Sequence, residues 1–462
     1  MSLILVGRMD IQQDYNQQCL QRLIWAMNQL GIDVDAKKLV NISELIVQTM
    51  TGPWRYFHTP DHIFEVGGSE DAIEVLAALF HDVVYVQVDQ SVNFNLTYYL
   101  VPFIRQVGEH LWIREAVDIP EDPTFEMVRI VFDMSPGKML LPLEGQNEFL
   151  SALVAAKVLQ PFLSQELLVQ IVACIEATIP FRTPTKTGLN NSDILYQRLQ
   201  AIVDKFNLKL TDADLIETVK RSIRMANRDV RSFADPSSAR FLDNTWNLIP
   251  ETNHHLNNPS AYTIGQYRTA LQKMEGFMNF LKPEVVFHQF RGYPEDSIYE
   301  QLVSRARRNI AVGRLYLGSK LFTIAFLEAL SLRFGRVIPV STLMGEMPSE
   351  NFVTVSLVNF LPDLENNYQP QDELESTVLV ILEKGRTQHS YYDIKNSPLT
   401  TYMVKQMGFA EIQNQRNRAQ KFFQNEISSE EFLAGCDPQI KKTVTEGIVK
   451  LFDTRKAAFL GG

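Results

Sequence analysis

Two short segments of this 462-residue chain carry side chains that could share a metal ion. The first, Arg55-Tyr56-Phe57-His58-Thr59-Pro60-Asp61-His62, places two histidines four apart around a helix-start signal. The second is an apolar run, Val75 to Phe80, that ends in the adjacent pair His81-Asp82 and continues as Val83-Val84-Tyr85. A helix apolar on every side is a buried helix, and an ionised carboxylate buried there is costly unless it is paired or binds a metal. Neutral imidazoles with carboxylates make a mixed nitrogen and oxygen donor set. Such a set suits Mn, Mg, Fe, Co, Ni or Zn, with water completing the shell. An ion held this way lowers the pKa of bound water and can set hydroxide against a phosphoryl group. The leaving oxygen of a phosphoester also needs a proton, which a histidine near the metal but not bound to it can donate.

Helices must position these groups. Apolar residues at helical spacing predict a helix over 10–30, with Gly31 past its end, and another over 36–50, stopped by Gly52-Pro53. Thr59, Pro60 and Asp61 then read as N-cap, first helical position and first-turn acid. His62 falls inside that helix and His58 just outside it. The helix after Glu70 carries the apolar run and His81-Asp82. Helical patterns follow at 96–117, 123–134, 144–160 and 165–179. Thr211 with Asp214 forms a capping box that starts a long amphipathic helix, on which Asp229 lies one position from the apolar face. Further helices are expected at 261–281, 296–312, 398–425 and 438–459. Between these, Val337–Leu343, Phe352–Val358 and Thr377–Leu382 are β-branched runs that suit three strands of a small sheet, although Phe352–Leu361 fits a buried helix equally well. The expected fold is mainly α, with one domain over 10–315 and a C-terminal domain over 335–462 that is helical plus a small β-sheet.

Composition narrows the class. With 45% hydrophobic and 21% charged residues the chain has material for a large core. A net charge of −10 argues against nucleic acid, whose non-specific binding rests on Lys and Arg. Three scattered cysteines, Cys19, Cys174 and Cys436, form neither a disulfide framework nor a zinc knuckle, which fits a cytoplasmic protein. The N-terminal apolar run is too short for a signal segment, and no stretch reads as the ~20 apolar residues of a membrane span. Dinucleotide-binding, Walker and serine-hydrolase motifs are absent from the sequence.

The combination of His-x-x-x-His, a His-Asp pair after an apolar helix, and a lone Asp much later resembles the HD superfamily of metal-dependent phosphohydrolases. The predicted HD phosphohydrolases come near through Tyr56-Phe57-His58, Phe80-His81-Asp82-Val83-Val84-Tyr85 and Ala306-Arg307-Arg308-Asn309-Ile310. Cyclic-nucleotide phosphodiesterase catalytic domains share the opening histidines. The resemblance implies an HD-type helical bundle over roughly 10–315. It implies metal ligation by His62, His81, Asp82 and a late Asp, for which Asp229 is the choice and Asp193 the fallback. It makes His58 the general acid and gives Arg55 a substrate phosphate to hold. Phe57 departs from the family, where Tyr adjoins His. Tyr85 stands where phosphodiesterases carry another histidine, which weighs against cyclic nucleotides. Gly292-Tyr293-Pro294 reads as a turn, far from where cyclic-di-nucleotide esterases carry that signature.

Plainer readings stand beside these. His81-Asp82 could be a structural hydrogen bond in a core, His58 could cap a turn, and Asp229 could pair with Arg228 or Arg231. His254-His255 reads as a loop pair, and the arginines at 305, 307, 308 and 314 as a solvated helix face. The function expected is hydrolysis of a small-molecule phosphoester, of a nucleotide or a related compound, without membrane or nucleic-acid partners. The alternative is a catalytically impaired HD-fold scaffold or ligand-sensing protein acting through its C-terminal region. Di-iron oxidative chemistry is a third reading, but it needs more histidines than the sequence offers, since His110 has no matching context.

Overall fold

The structure is a computed structural model that describes residues 2–185, 188–335, 338–345, 355–362 and 368–460, with side chains described from 12 to 453 within those ranges. The chain is mainly α-helical, and the described residues hold one two-stranded sheet. It divides into two compact units, Met1–Arg231 with Lys282–Val303, and Ser232–Leu281 with Ser304–Gly462. This differs from a single boundary at 315–335. The helix expected over 296–312 continues unbroken to Ser331, so there is no linker in that stretch, and 232–281 belongs with the second unit.

The first unit is a helical bundle of α1 (Ser2–Gln29), α2 (Ala36–Met50), α3 (Pro60–Gly67), α4 (Ala72–Phe80), α5 (Pro123–Val131), α6 (Gln146–Leu159), α7 (Gln165–Ala177), α8 (Asn191–Phe206) and α9 (Asp212–Asp229). α4 and α7 lie at its centre: α4 packs on α1, α3 and α7, while α7 also packs on α6 and α9. The reason is visible in α4, where all nine residues are buried. Asp71 starts that helix by accepting hydrogen bonds from the N–H groups of Ile73 and Glu74 at 2.9 and 3.2 Å. α3 opens as its sequence predicts, with Thr59 extended and Pro60 first, although Thr59 makes no side-chain cap. It stops at Gly68, whose φ of 64° suits a residue without a Cβ. The Thr211–Asp214 capping box is formed at the start of α9.

The small sheet is not where the β-branched runs place it. β1 (Ile104–Val107) and β2 (His110–Ile113) form a hairpin with Ile104 opposite Ile113, inside the stretch that reads as a helix over 96–117. Ile104, Leu111 and Ile113 are buried, while Gln106 and His110 are exposed. The alternation of period two in β2, with Gly108 at φ 61° in the turn, is strand chemistry.

In the second unit the principal helices are α10 (Ser238–Glu251), α11 (Ile264–Phe280), the greater part of α12 (Asp296–Ser331), α13 (Glu373–Lys384), α14 (Pro398–Phe423), α15 (Ser429–Ala434) and α16 (Pro438–Leu460). Thr377–Leu382, expected as a strand, lies within α13, where Val378, Leu379, Ile381 and Leu382 are buried at helical spacing. Val340–Met344 is a short helix, and 337 and 352–354 lie outside the described residues. The stretch from Asp296 to Phe334 is long and apolar enough to cross a membrane, against the expectation from sequence. However, 83% of its apolar window is buried in the folded chain, as in a core helix.

Candidate metal centre

Three elements of the first unit bring the predicted ligands together. His62 comes from the first turn of α3, His81 and Asp82 from the C-terminal end of α4, and Asp229 from the last residue of α9. One ligand atom each from His62, His81 and Asp82 lies within 4.8 Å of the others. Asp229 Oδ1 is 3.0 Å from His62 Nε2 and 3.6 Å from His81 Nε2. Asp82 Oδ2 is 3.0 Å from His81 Nε2 and 3.5 Å from His62 Nε2.

The protonation of His81 follows from its surroundings. Its Nδ1 donates to the carbonyl of Ala78 at 2.8 Å, which leaves Nε2 as the ring atom turned toward the carboxylates. Burial works against a charge on this ring, yet Asp82 and Asp229 overcome it and hold its pKa well above the usual value. The carboxylates respond in the opposite sense. Burial would raise Asp229, but its hydrogen bond with His62 and the nearby His81 bring it down to about 2. Asp82 is lowered too, by His81, His58 and His62 against its burial.

α9 is held in place by ion pairs that answer the alternative reading of Asp229. Arg221 pairs with Asp71 at 2.6 Å, and Arg224 and Arg228 with the buried Glu74 at 2.6 and 2.5 Å. Arg231 pairs with Glu65 at 2.7 Å. The neighbouring arginines therefore have other partners, and Asp229 turns to His62. The fallback Asp193 sits in the first turn of α8, where its N–H bonds to the Asn190 cap, outside the cluster.

His58 stands beside the cluster, and its charge acts on Asp82. Its ring centroid is 5.6 Å from that of His62 and 4.5 Å from that of Tyr85. Phe57, the residue that departs from the family pattern, lies 4.8 Å from the His62 ring and 5.0 Å from the His58 ring.

Arg55 is a correction. Expected to hold a substrate phosphate, it has a fully buried side chain that grips Asp89 through two hydrogen bonds of 3.0 and 2.7 Å. A third bond, 2.9 Å, goes to the backbone carbonyl of Asp82. Its role is to position the loop that carries Asp82. The Ala306–Ile310 match belongs to the second unit. It lies on α12, where buried Asn309 bonds to the carbonyls of Phe233 and Asp235.

One residue escaped the sequence reading. α6 opens against the chain that follows Asp82: Asn147 accepts from the N–H of Val86 at 3.0 Å, and Ser151 from that of Val84 at 3.1 Å. Glu148 lies on the same turns, and burial with the charges of Asp82 and Asp229 pushes its pKa up to about 7. The signal available was an acid in the first turn of a helix that is otherwise almost wholly buried. The segment 282–303 adds a second buried titrating group. His288 is pinned to α9 by both backbone groups, through Asn227, at 2.8 and 3.0 Å. The Gly292-Tyr293-Pro294 turn closes between the paired residues Phe290 and Tyr293, as read from sequence.

Burial, with the charge of Arg182, lowers the pKa of His288 from 6.5 to about 4. A base whose folded pKa is depressed contributes its full stability above the unfolded pKa and loses it as pH falls toward the folded value. Stability is therefore expected to fall by roughly 3 kcal/mol between pH 6.5 and 4 on account of this group. Denaturant titrations at stepped pH should show that slope flattened in His288→Gln; equal slopes would contradict the assignment.

Comparison of the chain with protein-family models, with curated proteins and with solved structures gives no match in any of the three.

Proposed function

We propose that this chain is an HD-type, metal-dependent phosphohydrolase acting on a small phosphoester, most fittingly of a nucleotide. The observation that supports it is a set of unsatisfied atoms. His81 Nε2 and Asp82 Oδ2 are buried 3.0 Å apart without forming an aligned hydrogen bond, on residues whose charges act on one another. Leaving a polar group buried and unpaired costs ~1–3 kcal/mol, and charged groups cost more. A structural His–Asp pair would satisfy these atoms, whereas a shared cation explains why they converge. The donor set fits a divalent ion held by His62, His81, Asp82 and Asp229. When bound, such an ion polarises a phosphoryl oxygen and acidifies water.

The chain's own residues supply the rest. His58, beside the ligands with its ring against Tyr85, is placed to hand a proton to the leaving oxygen. Glu148, with a carboxyl near 7, can accept or hold a proton at neutral pH. Arg55 and Asn147 fix the loop at Asp82–Val86 from two sides.

The test is turnover of a broad phosphoester panel, mononucleotides and cyclic nucleotides included, with added Mn or Mg. At least one class should be hydrolysed in a metal-dependent way. Metal binding without turnover across the panel would favour the second reading, an HD-type scaffold or sensor acting through its C-terminal region. Within the enzyme reading, Glu148→Gln is expected to keep its metal and lose about a hundredfold in kcat. Unchanged kcat would reduce Glu148 to a structural acid.

A further inference from the structure

The second unit contains a cavity that the metal centre does not use. It measures about 50 Å³ and lies where the start of α14 meets the middle of α12. Its lining includes the polar residues Lys320, Asp393, Asn396, Ser397 and Thr400 and apolar ones such as Leu327 and Val340.

The polar lining is built, not incidental. Lys320 is 6% exposed and donates to Asp393 Oδ2 at 3.1 Å and to Ser397 Oγ at 3.2 Å. Tyr267 Oη and Trp246 Nε1 donate to the same carboxylate oxygen at 2.7 and 2.8 Å. Three donors thus saturate Oδ2, while Oδ1 accepts no hydrogen bond from any described residue. Burial opposes a charge on this carboxyl, but Lys320 and Arg386 hold it ionised. In the same lining, α14 begins with Pro398 and with no side-chain cap from Ser397. The N–H groups of Leu399 and Thr400 are left without helical partners, and the helix runs without a break to Gly408. Thr400 is 3% exposed and its hydroxyl has no partner among the described residues, although it lines the cavity.

The charges balance. Lys320 and Arg386 face Asp393 and Asp243, the arginine at 3.9 and 3.8 Å. A net ion gains little from a neutral surround and would lose its hydration. A molecule with both signs finds a counterpart at each end.

We propose that this cavity binds the zwitterionic head of a small α-amino acid. The carboxylate would take the Leu399 and Thr400 N–H groups, the Thr400 hydroxyl and the free proton of Lys320. The ammonium would take Asp393 Oδ1, and a short apolar side chain would turn toward Leu327 and Val340. The free space limits the occupant to the smallest amino acids. A benzene-sized ligand needs ~150 Å³.

Calorimetric titration of the full-length protein with glycine and L-alanine tests the assignment, with propionate and ethylamine as analogues that carry one charge each. The expected result is saturable binding of one amino acid per chain, at least about tenfold tighter than either analogue. Thr400→Val should weaken it about tenfold while bound metal stays constant, and Val340→Phe, which fills the cavity from a half-buried position, should remove it. Circular dichroism and thermal unfolding of both variants establish that they fold. If Thr400→Val does not, Val340→Phe carries the test alone. The proposal is overturned by the absence of saturable binding at millimolar amino acid, which leaves a cavity for ordered water only. Propionate binding as tightly as alanine would also overturn it, since Asp393 would then play no part.

Discussion

Replacing His81 with alanine is expected to lower affinity for Mn by at least about a hundredfold and, on the proposed function, to abolish phosphoester turnover. Loss of groups that merely orient a ligand already costs 10–100-fold in metal affinity, and His81 is placed to be a ligand itself. Its Nδ1 is committed to the Ala78 carbonyl, so the ring cannot rotate away, and its Nε2 sits 3.0 Å from Asp82 Oδ2. The variant also leaves Asp82 and Asp229 facing each other with one cation-forming partner fewer. The metal-free protein should therefore melt lower than wild type, and added metal should restore less of that loss. Competition with a fluorescent chelator, run alongside turnover, separates the two effects. Affinity unchanged in His81→Ala would mean that the ring belongs to the core alone.

Arg55→Ala is expected to cost 3–5 kcal/mol of stability, the range for removing one partner of a buried ion pair. The guanidinium is fully buried, Asp89 is largely so, and the alanine would leave both the Asp89 carboxylate and the Asp82 carbonyl without their donor. Because that carbonyl belongs to a ligand residue, metal affinity should fall with stability. Arg55→Lys distinguishes positioning from substrate contact. An ammonium cannot reproduce the two-pronged grip on Asp89, so the lysine variant should also be destabilised and should lose metal affinity. A change confined to KM, with stability and metal binding intact, would return Arg55 to the phosphate.

Much of this centre was legible because its signals are local. A continuous apolar run that follows a helix-start signal and ends in His-Asp reads as a buried helix end. Thr59-Pro60-Asp61 is a helix start, and Thr211 with Asp214 fixed the phase of α9 well enough to single out Asp229. What stayed hidden depends on partners distant in sequence. Arg55 reads as a free cation until Asp89 is seen beside it, and Glu148 reads as a first-turn acid until Asp82 and Asp229 are seen to face it. The sheet went astray for a similar reason. Val378, Val380 and Ile381 are β-branched within an apolar run, yet the buried spacing is helical, while the true hairpin at 104–113 alternates only in β2, too briefly to outweigh its surroundings. The unit boundary was missed because α12 runs straight through it.

The central claim is that His62, His81, Asp82 and Asp229 hold a divalent ion, and metal stoichiometry tests it most directly. Purified protein, stripped with chelator, reloaded with Mn and desalted, should carry at least one ion per chain by elemental analysis, and Asp82→Ala treated identically should carry far less. Wild-type protein that retains no ion, or equal retention by the variant, would contradict the account.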